Sequence, residues 1–315
     1  MRPNDKGTEN RGPEAAGREE PGGGQANDLL RRVRKIEIKT RGLSDEIFAG
    51  KYHTAFRGRG MSFSEVREYR VGDDIRDIDW NVTARSRKPH IKVYEEEREL
   101  TMMLLVDVSA SREFGSAERP KQSVITEIAA VLAFSAAQNN DKVGCIFFSD
   151  RIEKFIPPKK GRSHILMIIR ELIGFRPASS GTRLSEPVRL LTNVNKKRCT
   201  AFLLSDFLYP ASDRAAFDDA LKIAGNKHDL VAIRVCDPRE SEMPDVGIVE
   251  LQDAENGRKV WVDTSSRAVR DRYAEAWRTR SAAIEELLRH HRIDTATVAT
   301  DGDYVAALIQ LFRQR

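Results

Sequence analysis

Three short oxygen-bearing side chains, Asp107, Ser109 and Ser111, alternate directly after the apolar run 102–106. Because alternate residues of a looped chain can point to the same side, the three groups can meet at one spot. A hard divalent cation such as Mg²⁺ takes about six oxygens and keeps several waters, so few carboxylates are needed. The spacing predicts a cation site with one coordination place left for the carboxylate of a ligand.

Two more oxygen-bearing residues occupy equivalent places in the chain. Thr182 lies in the loop 179–182 that precedes a helical segment, and Asp206 closely follows the apolar run 202–204. In an open α/β sheet, ligands bind at the carboxyl ends of the strands, so residues at strand ends meet there. Ser and Asp in turns also cap helices, which leaves a helix cap as another explanation of residues 107–111. The agreement of three separate loops favours the metal site.

The segment 72–80, GDDIRDIDW, is a second place where acidic side chains cluster. Its carboxylates could bind a second metal or act as a catalytic pair, or they could hold a small module together through ion pairs and hydrogen bonds. The interleaving of opposite charges favours the second interpretation, and we expect Trp80 to anchor the module against the larger domain. The charged residues concerned are Asp73, Asp74, Asp77, Asp79, Arg70, Arg76 and Arg85.

The elements that must position these residues alternate regularly from residue 99 onward. Apolar runs predict strands at 102–106, 143–148, 200–204, 230–235 and 296–299, an edge strand at 152–156, and a hairpin at 246–262 that turns near Asn256 and Gly257. Helical periodicity predicts helices at 121–138, 163–173, 211–224 and 267–290, and a last one from Asp303. This alternation predicts an α/β fold, a doubly wound and mostly parallel sheet with helices on both faces.

The N-terminal part of the chain is organised differently. Residues 1–26 contain three prolines, six glycines and no apolar stretch, which predicts a disordered tail rather than a signal peptide. Helical spacing predicts a short amphipathic helix at 27–38, and the alternating pieces of 50–100 predict hairpins and loops without a helix. We therefore expect a tail, then an N-terminal helix with a small β-rich module (27–98), then the α/β domain (99–315).

The composition is that of a folded protein: of 315 residues, 40% are hydrophobic and 32% are charged, with a net charge of +5. Three cysteines without metal-ligand spacing predict no disulfide framework and no zinc site. We expect Cys145, Cys199 and Cys236 to pack in the core of a protein from a reducing compartment. The longest mainly apolar stretch, 125–137, contains Glu127 and is too short to span a bilayer. These features predict a cytoplasmic protein, or one at the membrane periphery.

A basic stretch in the predicted N-terminal helix suggests a different function. It consists of Arg31, Arg32, Arg34 and Lys35, with Lys39 and Arg41 nearby. One alternative is that this helix docks on anionic lipid or nucleic acid. A solvated helix face explains the same residues and is favoured, because such charge runs usually face solvent. We expect no nucleic-acid partner.

The five candidate ligands resemble the metal-ion-dependent adhesion site of von Willebrand factor A domains. In that site Asp-x-Ser-x-Ser is followed by a Thr in a second loop and by an Asp after a later strand, and all five positions match here. The resemblance implies a Rossmann-like von Willebrand factor A fold. It also implies that Ser109 and Ser111 bind the metal directly, that Thr182 binds it directly or through water, and that Asp107 and Asp206 hold its waters. The implied metal is Mg²⁺ or another divalent cation such as Mn²⁺ or Ca²⁺.

A wider resemblance covers the chain from roughly residue 27 to its end. The run 58–80, GRGMSFSEVREYRVGDDIRDIDW, and its continuation to Ser111 are similar to domain of unknown function fifty-eight (DUF fifty-eight), in which such a module precedes a von Willebrand factor A type domain. Arg112 stands where the family often has Met, which implies weaker metal binding or a preference for an acidic ligand. Bacterial members are typically encoded beside a MoxR-type AAA+ ATPase, which implies a role in assembling or activating other proteins. Further similar pieces are 157–161, 205–207, 237–240 and 300–301.

These features predict a non-catalytic, divalent-metal-dependent protein-interaction module. The expected partners are a protein ligand with an acidic side chain, a MoxR-type AAA+ ATPase and, through peripheral contact, membrane proteins. The alternative is a Mg²⁺-dependent phosphoryl or phosphodiester enzyme, since Mg²⁺ beside carboxylates supports such chemistry. Three features disfavour the enzyme: no GxxxxGK[ST] loop is present, residues 58–60 do not open a helix after a strand, and Ser109 replaces the second aspartate of a phosphoaspartyl-transfer motif.

Overall fold

A computed structural model describes residues 31, 33–39, 62–95, 100–113, 115, 119–252 and 258–315 of the chain. The strands within these ranges are β1 (Ser62–Glu68), β2 (His90–Glu95), β3 (Thr101–Asp107), β4 (Lys142–Phe148), β5 (Ile152–Lys159), β6 (Thr200–Ser205), β7 (Asp229–Cys236), β8 (Ile248–Gln252), β9 (Lys259–Asp263) and β10 (Asp294–Ala299). The helices are α1 (33–39), α2 (Trp80–Ser86), α3 (Lys121–Gln138), α4 (Arg162–Gly174), α5 (Ser185–Val194), α6 (Arg214–Lys227), α7 (Pro238–Ser241), α8 (Arg267–His290) and α9 (Tyr304–Gln314).

The main sheet has the strand order β10-β7-β6-β3-β4-β5. Neighbouring strands are parallel except for β4 and β5, which pair antiparallel and close one edge. The chain passes from β3 to β4 on one side and later to β6 on the other, so the carboxyl ends of β3 and β6 flank a topological switch point, where open α/β sheets bind ligands. The predicted doubly wound, mostly parallel class is confirmed.

Two apolar layers cover the two faces of this sheet. Successive side chains of a strand point to opposite faces. Met102, Leu104 and Val106 of β3 therefore pack with α3, α4 and α9, whereas Met103 and Leu105 pack with α5, α6 and α8. Each such buried side chain contributes about 1.5–3 kcal/mol relative to exposure. The layers hold the strand ends that carry the candidate ligands.

Most predicted elements of the α/β domain are confirmed. The strands β3, β4, β6 and β7 match their predictions to within one residue at each end, and α3 and α8 match fully. All three cysteines are free and buried, as expected. Among the described helices, none is long and apolar enough to cross a bilayer.

The N-terminal helix is confirmed where it is described, at 33–38, and Val33 packs into the main core. Residues 27–30 and 32 of that predicted helix lie outside the described residues, as do Arg41 of the basic stretch, the predicted tail at 1–26 and the hairpin turn near Asn256 and Gly257.

Two expectations for the small module are wrong. Its strands β1 and β2 pair antiparallel, but α2 lies between them in a stretch predicted to lack helices. The helix begins because the Asp79 carboxylate accepts hydrogen bonds from the backbone N–H groups of Asn81 and Val82, which makes Asp79 its N-cap. Trp80 is the first residue of this helix and is 71% exposed, so it does not anchor the module. The cap, rather than burial of the indole, fixes this segment.

Candidate metal centre

Three loops meet at the carboxyl edge of the sheet, beside the switch point. The ends of β3 and β6 are adjacent, with Val106 paired to Leu204. The backbone N–H of Ala110 donates to the carbonyl of Ser180 at 3.1 Å, which brings the loop 179–182 against the end of β3. The structure thus assembles the three loops that the sequence marked, through contacts between residues distant in the chain.

Asp107, the last residue of β3, is buried and held at both carboxylate oxygens. Its Oδ1 accepts from the backbone N–H of Ser109 at 2.9 Å, and its Oδ2 accepts from the hydroxyl of Ser205 at 2.6 Å. Burial, reinforced by the nearby charge of Asp206, raises the pKa of Asp107 to about 6, although the hydrogen bonds from Ser205 and Ser109 oppose the shift. A cation at this place would favour the ionised carboxylate.

Ser109 and Ser111 lie side by side in the tight turn after β3. Both are buried, and their Oγ atoms are 3.0 Å apart. The turn continues as a short 3₁₀ segment, Ala110–Glu113. Two adjacent hydroxyl oxygens of this kind could form one side of an oxygen-only ligand set.

The buried hydroxyl of Thr182 is the feature of the site that points most directly to a bound ion. The residue is 1% exposed, and among the described residues its Oγ1 has no hydrogen-bond partner. A buried hydroxyl left unsatisfied costs about 1–3 kcal/mol, and native proteins rarely leave one so. The backbone of the next residue is fixed by a bond from the Arg183 N–H to the Ser149 carbonyl at 2.9 Å. A cation or its water would satisfy the Thr182 hydroxyl.

Asp206 follows β6 and is locked in a tight turn. Its Oδ1 accepts from the Leu208 N–H at 2.9 Å, and its main-chain carbonyl accepts from Arg234 Nε at 3.3 Å. The Arg234 guanidinium lies over the Trp277 ring at 5.1 Å, a cation–π contact. Phe207 has a left-handed φ of 59° and a fully buried ring, so the turn is held from both sides.

Lys121, which the sequence did not single out, completes the charged part of the site. It is fully buried at the first position of α3, and its Nζ lies 2.8 Å from Asp206 Oδ2 and 2.5 Å from Glu240 Oε1. Burial by itself would lower the pKa of the ammonium, but attraction from Asp206 and Glu240 outweighs it and the pKa lies above its ordinary value. The available signal was a lysine at the start of a mainly apolar helix.

Glu240 belongs to a capping box that extends the network to the far strands. The Asp237 carboxylate accepts from the Arg239 N–H, and Glu240 Oε2 accepts from the Asp237 N–H at 3.0 Å. The Thr300 hydroxyl donates to Asp237 Oδ2 at 3.0 Å. The pieces 237–240 and 300–301, quoted above only for their resemblance to the family, therefore lie together and contact the site through Glu240.

Arg112 is buried and turned toward a neighbouring helix end. Its Nη2 donates to the carbonyl of Phe175, the residue that follows α4, at 2.5 Å. The expected effect of this charge on metal binding stays a prediction.

The residues present suit a hard divalent cation. They offer hydroxyl and carboxylate oxygens, the ligand type that Mg²⁺, Mn²⁺ and Ca²⁺ prefer. In the described ranges no group of three or more His, Cys, Asp or Glu side chains is arranged to hold a metal, so a site here depends on the hydroxyls of Ser109, Ser111 and Thr182. The unsatisfied Thr182 hydroxyl fits that requirement.

The acidic segment of the small module is built differently. The Asp73 carboxylate accepts two bonds from the Arg67 guanidinium, at 2.7 and 2.8 Å, and a third from the Arg70 N–H. Asp74 accepts from the Arg76 N–H, and Asp79 caps α2. A hydrogen bond from Arg67 lowers the pKa of Asp73 below its ordinary value. These contacts support the structural interpretation of the segment.

With a doubly wound α/β sheet and an oxygen-rich site at its switch point established, the comparisons with known proteins give the family. The model of a protein family described as "Protein of unknown function DUF58" matches residues 65–283, and the chain belongs to this family. It is 31% identical over 291 residues to an uncharacterized protein of Mycobacterium tuberculosis, covering 91% of this chain and 90% of the relative.

Similar solved structures include the conserved hypothetical protein BatB from Bacteroides thetaiotaomicron, at 15% identity and a TM-score of 0.47, covering 68% of this chain and 98% of that one. Another is a von Willebrand factor type A protein from Catenulispora acidiphila, at 11% identity and a TM-score of 0.39, covering 69% and 41%.

Proposed function

We propose that this chain is a non-catalytic protein-interaction module that binds a partner through a divalent cation, Mg²⁺ in the first instance. The observation that carries the proposal is the buried Thr182 hydroxyl, which lacks a partner among the described residues and lies in a loop joined to the Ser109–Ser111 turn. An orphaned oxygen in a loop bonded to the turn that holds two paired hydroxyls and a buried carboxylate suits an oxygen-coordinated cation.

Each site residue then has a defined task. Ser109 and Ser111 would bind the cation directly, Thr182 would bind it directly or through water, and Asp107 and Asp206 would hold its waters. The cation supplies the positive charge that binds an acidic side chain of the partner. The chain orients these ligands in advance, because Ser205 fixes Asp107 and Lys121 fixes Asp206.

The hydrogen bonds of the site support binding rather than catalysis. A nucleophilic serine requires a neighbouring general base. Ser109 and Ser111 are instead bonded to each other, and Asp107 Oδ2 already accepts from Ser205. The carboxylate nearest to Ser109 is that of Asp107, and both of its oxygens already accept hydrogen bonds, from the Ser109 N–H and the Ser205 hydroxyl. Within the described residues, neither hydroxyl is bonded to a histidine or lysine. These contacts disfavour the hydrolase alternative.

The partner we propose is a MoxR-type AAA+ ATPase, or a protein that such an ATPase acts on, with an acidic side chain at the contact. The support is membership of the DUF58 family together with the resemblance described above. In this role the module assists the assembly or activation of other proteins.

Affinity capture from the native cell tests the proposal. Wild type, Ser109→Ala and Thr182→Val are compared with Mg²⁺ and with EDTA, and Thr126→Val serves as the matched control because Thr126 is also buried but bonds within α3. We expect an AAA+ ATPase among proteins captured by wild type and by Thr126→Val in Mg²⁺ only, and its loss from the two site variants. Capture that persists in EDTA contradicts the metal-dependent mode.

A further inference from the structure

We propose that Lys121 is a resident cation of the metal centre: it stabilises the centre when no metal is bound, and it weakens metal binding so that the loaded centre can accept an acidic ligand. This inference rests on the proposed function and assigns a role to a residue outside the five candidate ligands. Lys121 is a positioning and affinity-setting residue rather than a metal ligand.

The first support is the placement of a charged group where water cannot reach it. Lys121 is 0% exposed, and 14 of the 18 residues of its helix, α3, are buried. A buried ammonium is strongly unfavourable unless anionic partners surround it. Asp206 and Glu240 supply those partners at 2.8 and 2.5 Å. The fold therefore tolerates Lys121 only in company with these acids, one of which is a candidate site residue.

The second support is the division of tasks within the Asp206 carboxylate. Its Oδ1 accepts from the Leu208 N–H and its Oδ2 accepts from the Lys121 ammonium. Both oxygens are thus oriented by the chain itself before any metal arrives. This arrangement favours contact between Asp206 and a water on the metal. Direct binding of the metal would require the carboxylate to give up its bonds to Leu208 and Lys121.

The third support is the formal charge of the groups in contact. Asp107, Asp206 and Glu240 contribute three negative charges and Lys121 one positive charge, which leaves −2. Outside these four groups, Arg234 and Asp237 carry opposite charges, and the buried Arg112 adds one positive charge after Ser111 in the wild type and in every variant alike. A bound dication makes the four groups and the metal neutral together. Without Lys121 the loaded centre would keep one negative charge, which would attract the metal more strongly and repel an acidic ligand.

Through Glu240, the stabilising contacts of Lys121 reach beyond the loops that carry the candidate ligands. Its second oxygen accepts from the Asp237 N–H in the capping box of α7. Lys121 therefore ties the loop after β6 to the end of β7, and its loss should loosen both in the metal-free protein.

The test uses the whole chain and Mn²⁺ as the probe. Lys121→Met removes the charge while keeping the length of the side chain, and the double variant Lys121→Met with Glu240→Gln restores the formal −2 of the wild type. Mn²⁺ affinity is measured by electron paramagnetic resonance and calorimetry, and thermal unfolding is followed with Mn²⁺ and with EDTA.

We expect Lys121→Met to bind Mn²⁺ about tenfold more tightly or better, and the double variant to return toward wild type. We also expect Lys121→Met to unfold at a lower temperature than wild type in EDTA and to recover most of that loss in Mn²⁺. Acetate, as a carboxylate probe, should bind less tightly to the Mn²⁺ form of Lys121→Met. A purely structural lysine would give lost stability without a gain in metal affinity, which would overturn the inference.

If Lys121→Met fails to fold, the single variant Glu240→Gln still tests whether the charge around Lys121 sets the metal affinity. It raises the formal charge by one, and we expect about tenfold weaker Mn²⁺ binding; an unchanged affinity would count against the inference. If wild type binds Mn²⁺ but neither variant changes the affinity, only the role of Lys121 is wrong. If the folded wild type and both variants bind no Mn²⁺, the proposed function fails with it.

Discussion

The two regions of this protein that could bind a metal through aspartates differ in physical character. In the small module, Asp73 and Asp79 lie near the surface, bonded to an arginine or to backbone N–H groups, and their pKa values are lowered by those bonds. At the sheet edge, Asp107 is buried and its pKa is raised to about 6, first by burial and then by the charge of Asp206. Burial and a raised pKa, rather than the number of aspartates, therefore distinguish the candidate metal centre from the small module.

The largest difference between the regions should appear in stability. Asp206→Ala removes one of the two carboxylates that pair with the buried Lys121, and breaking such a pair costs about 3–5 kcal/mol. Asp73→Ala breaks an ion pair at the surface, so we expect a clearly smaller loss. Chemical denaturation in EDTA measures the free energy of unfolding of each variant. Equal losses would show that the two regions do not differ as argued.

The pH dependence should have opposite sign in the two regions. The folded pKa of Asp107, about 6, lies above its ordinary 3.8, so the folded form binds the proton more tightly. Stability of the metal-free protein should therefore fall by up to about 3 kcal/mol from this group as pH rises from 4 to 6. The pKa of Asp73 is lowered, so its contribution is present above its ordinary pKa and is lost as pH falls.

The variants Asp107→Asn and Asp73→Asn separate the contributions of the two carboxylates to the pH dependence of stability. Denaturation curves of the metal-free protein between pH 3 and pH 7 should lose the fall in stability toward pH 6 in the first variant, and should lose the rise in stability that ends near pH 4 in the second. A wild-type slope that survives in Asp107→Asn would argue that another buried group titrates there.

The smallest effect concerns one hydroxyl. Thr182→Val deletes a group without a partner among the described residues, so the metal-free protein should be as stable as wild type or more so. Mg²⁺ affinity should fall about tenfold, which is about 1.4 kcal/mol. Calorimetric titration measures it, with Thr126→Val and Asp73→Asn as controls that should bind Mg²⁺ like wild type. A lower affinity in Asp73→Asn would give the small module a part in metal binding.

Local patterns in the sequence predicted the α/β domain well because they act over a few residues. The apolar runs of β3, β4, β6 and β7 and the periodicity of α3 and α8 need no distant contact to be recognised. The helix α2 was missed for a related reason: β-branched Val82 and Thr83 resemble strand residues, and only the N-cap bonds of Asp79 show that the segment is helical.

The sequence by itself determined that Asp107, Ser109 and Ser111 lie at the end of one strand and Asp206 at the end of another. The loop of Thr182 lies between the helices α4 and α5, and the bond from the Ala110 N–H to the Ser180 carbonyl brings it to the same edge. Only the tertiary structure decided how they are charged and held. Lys121 and Glu240 are 119 positions apart, and Ser205 and Asp107 are 98 apart. Burial and charge pairing depend on which distant segments meet, and no local periodicity records that. For this reason the candidate ligand set could be proposed from the sequence, while the buried lysine beside Asp206 could not.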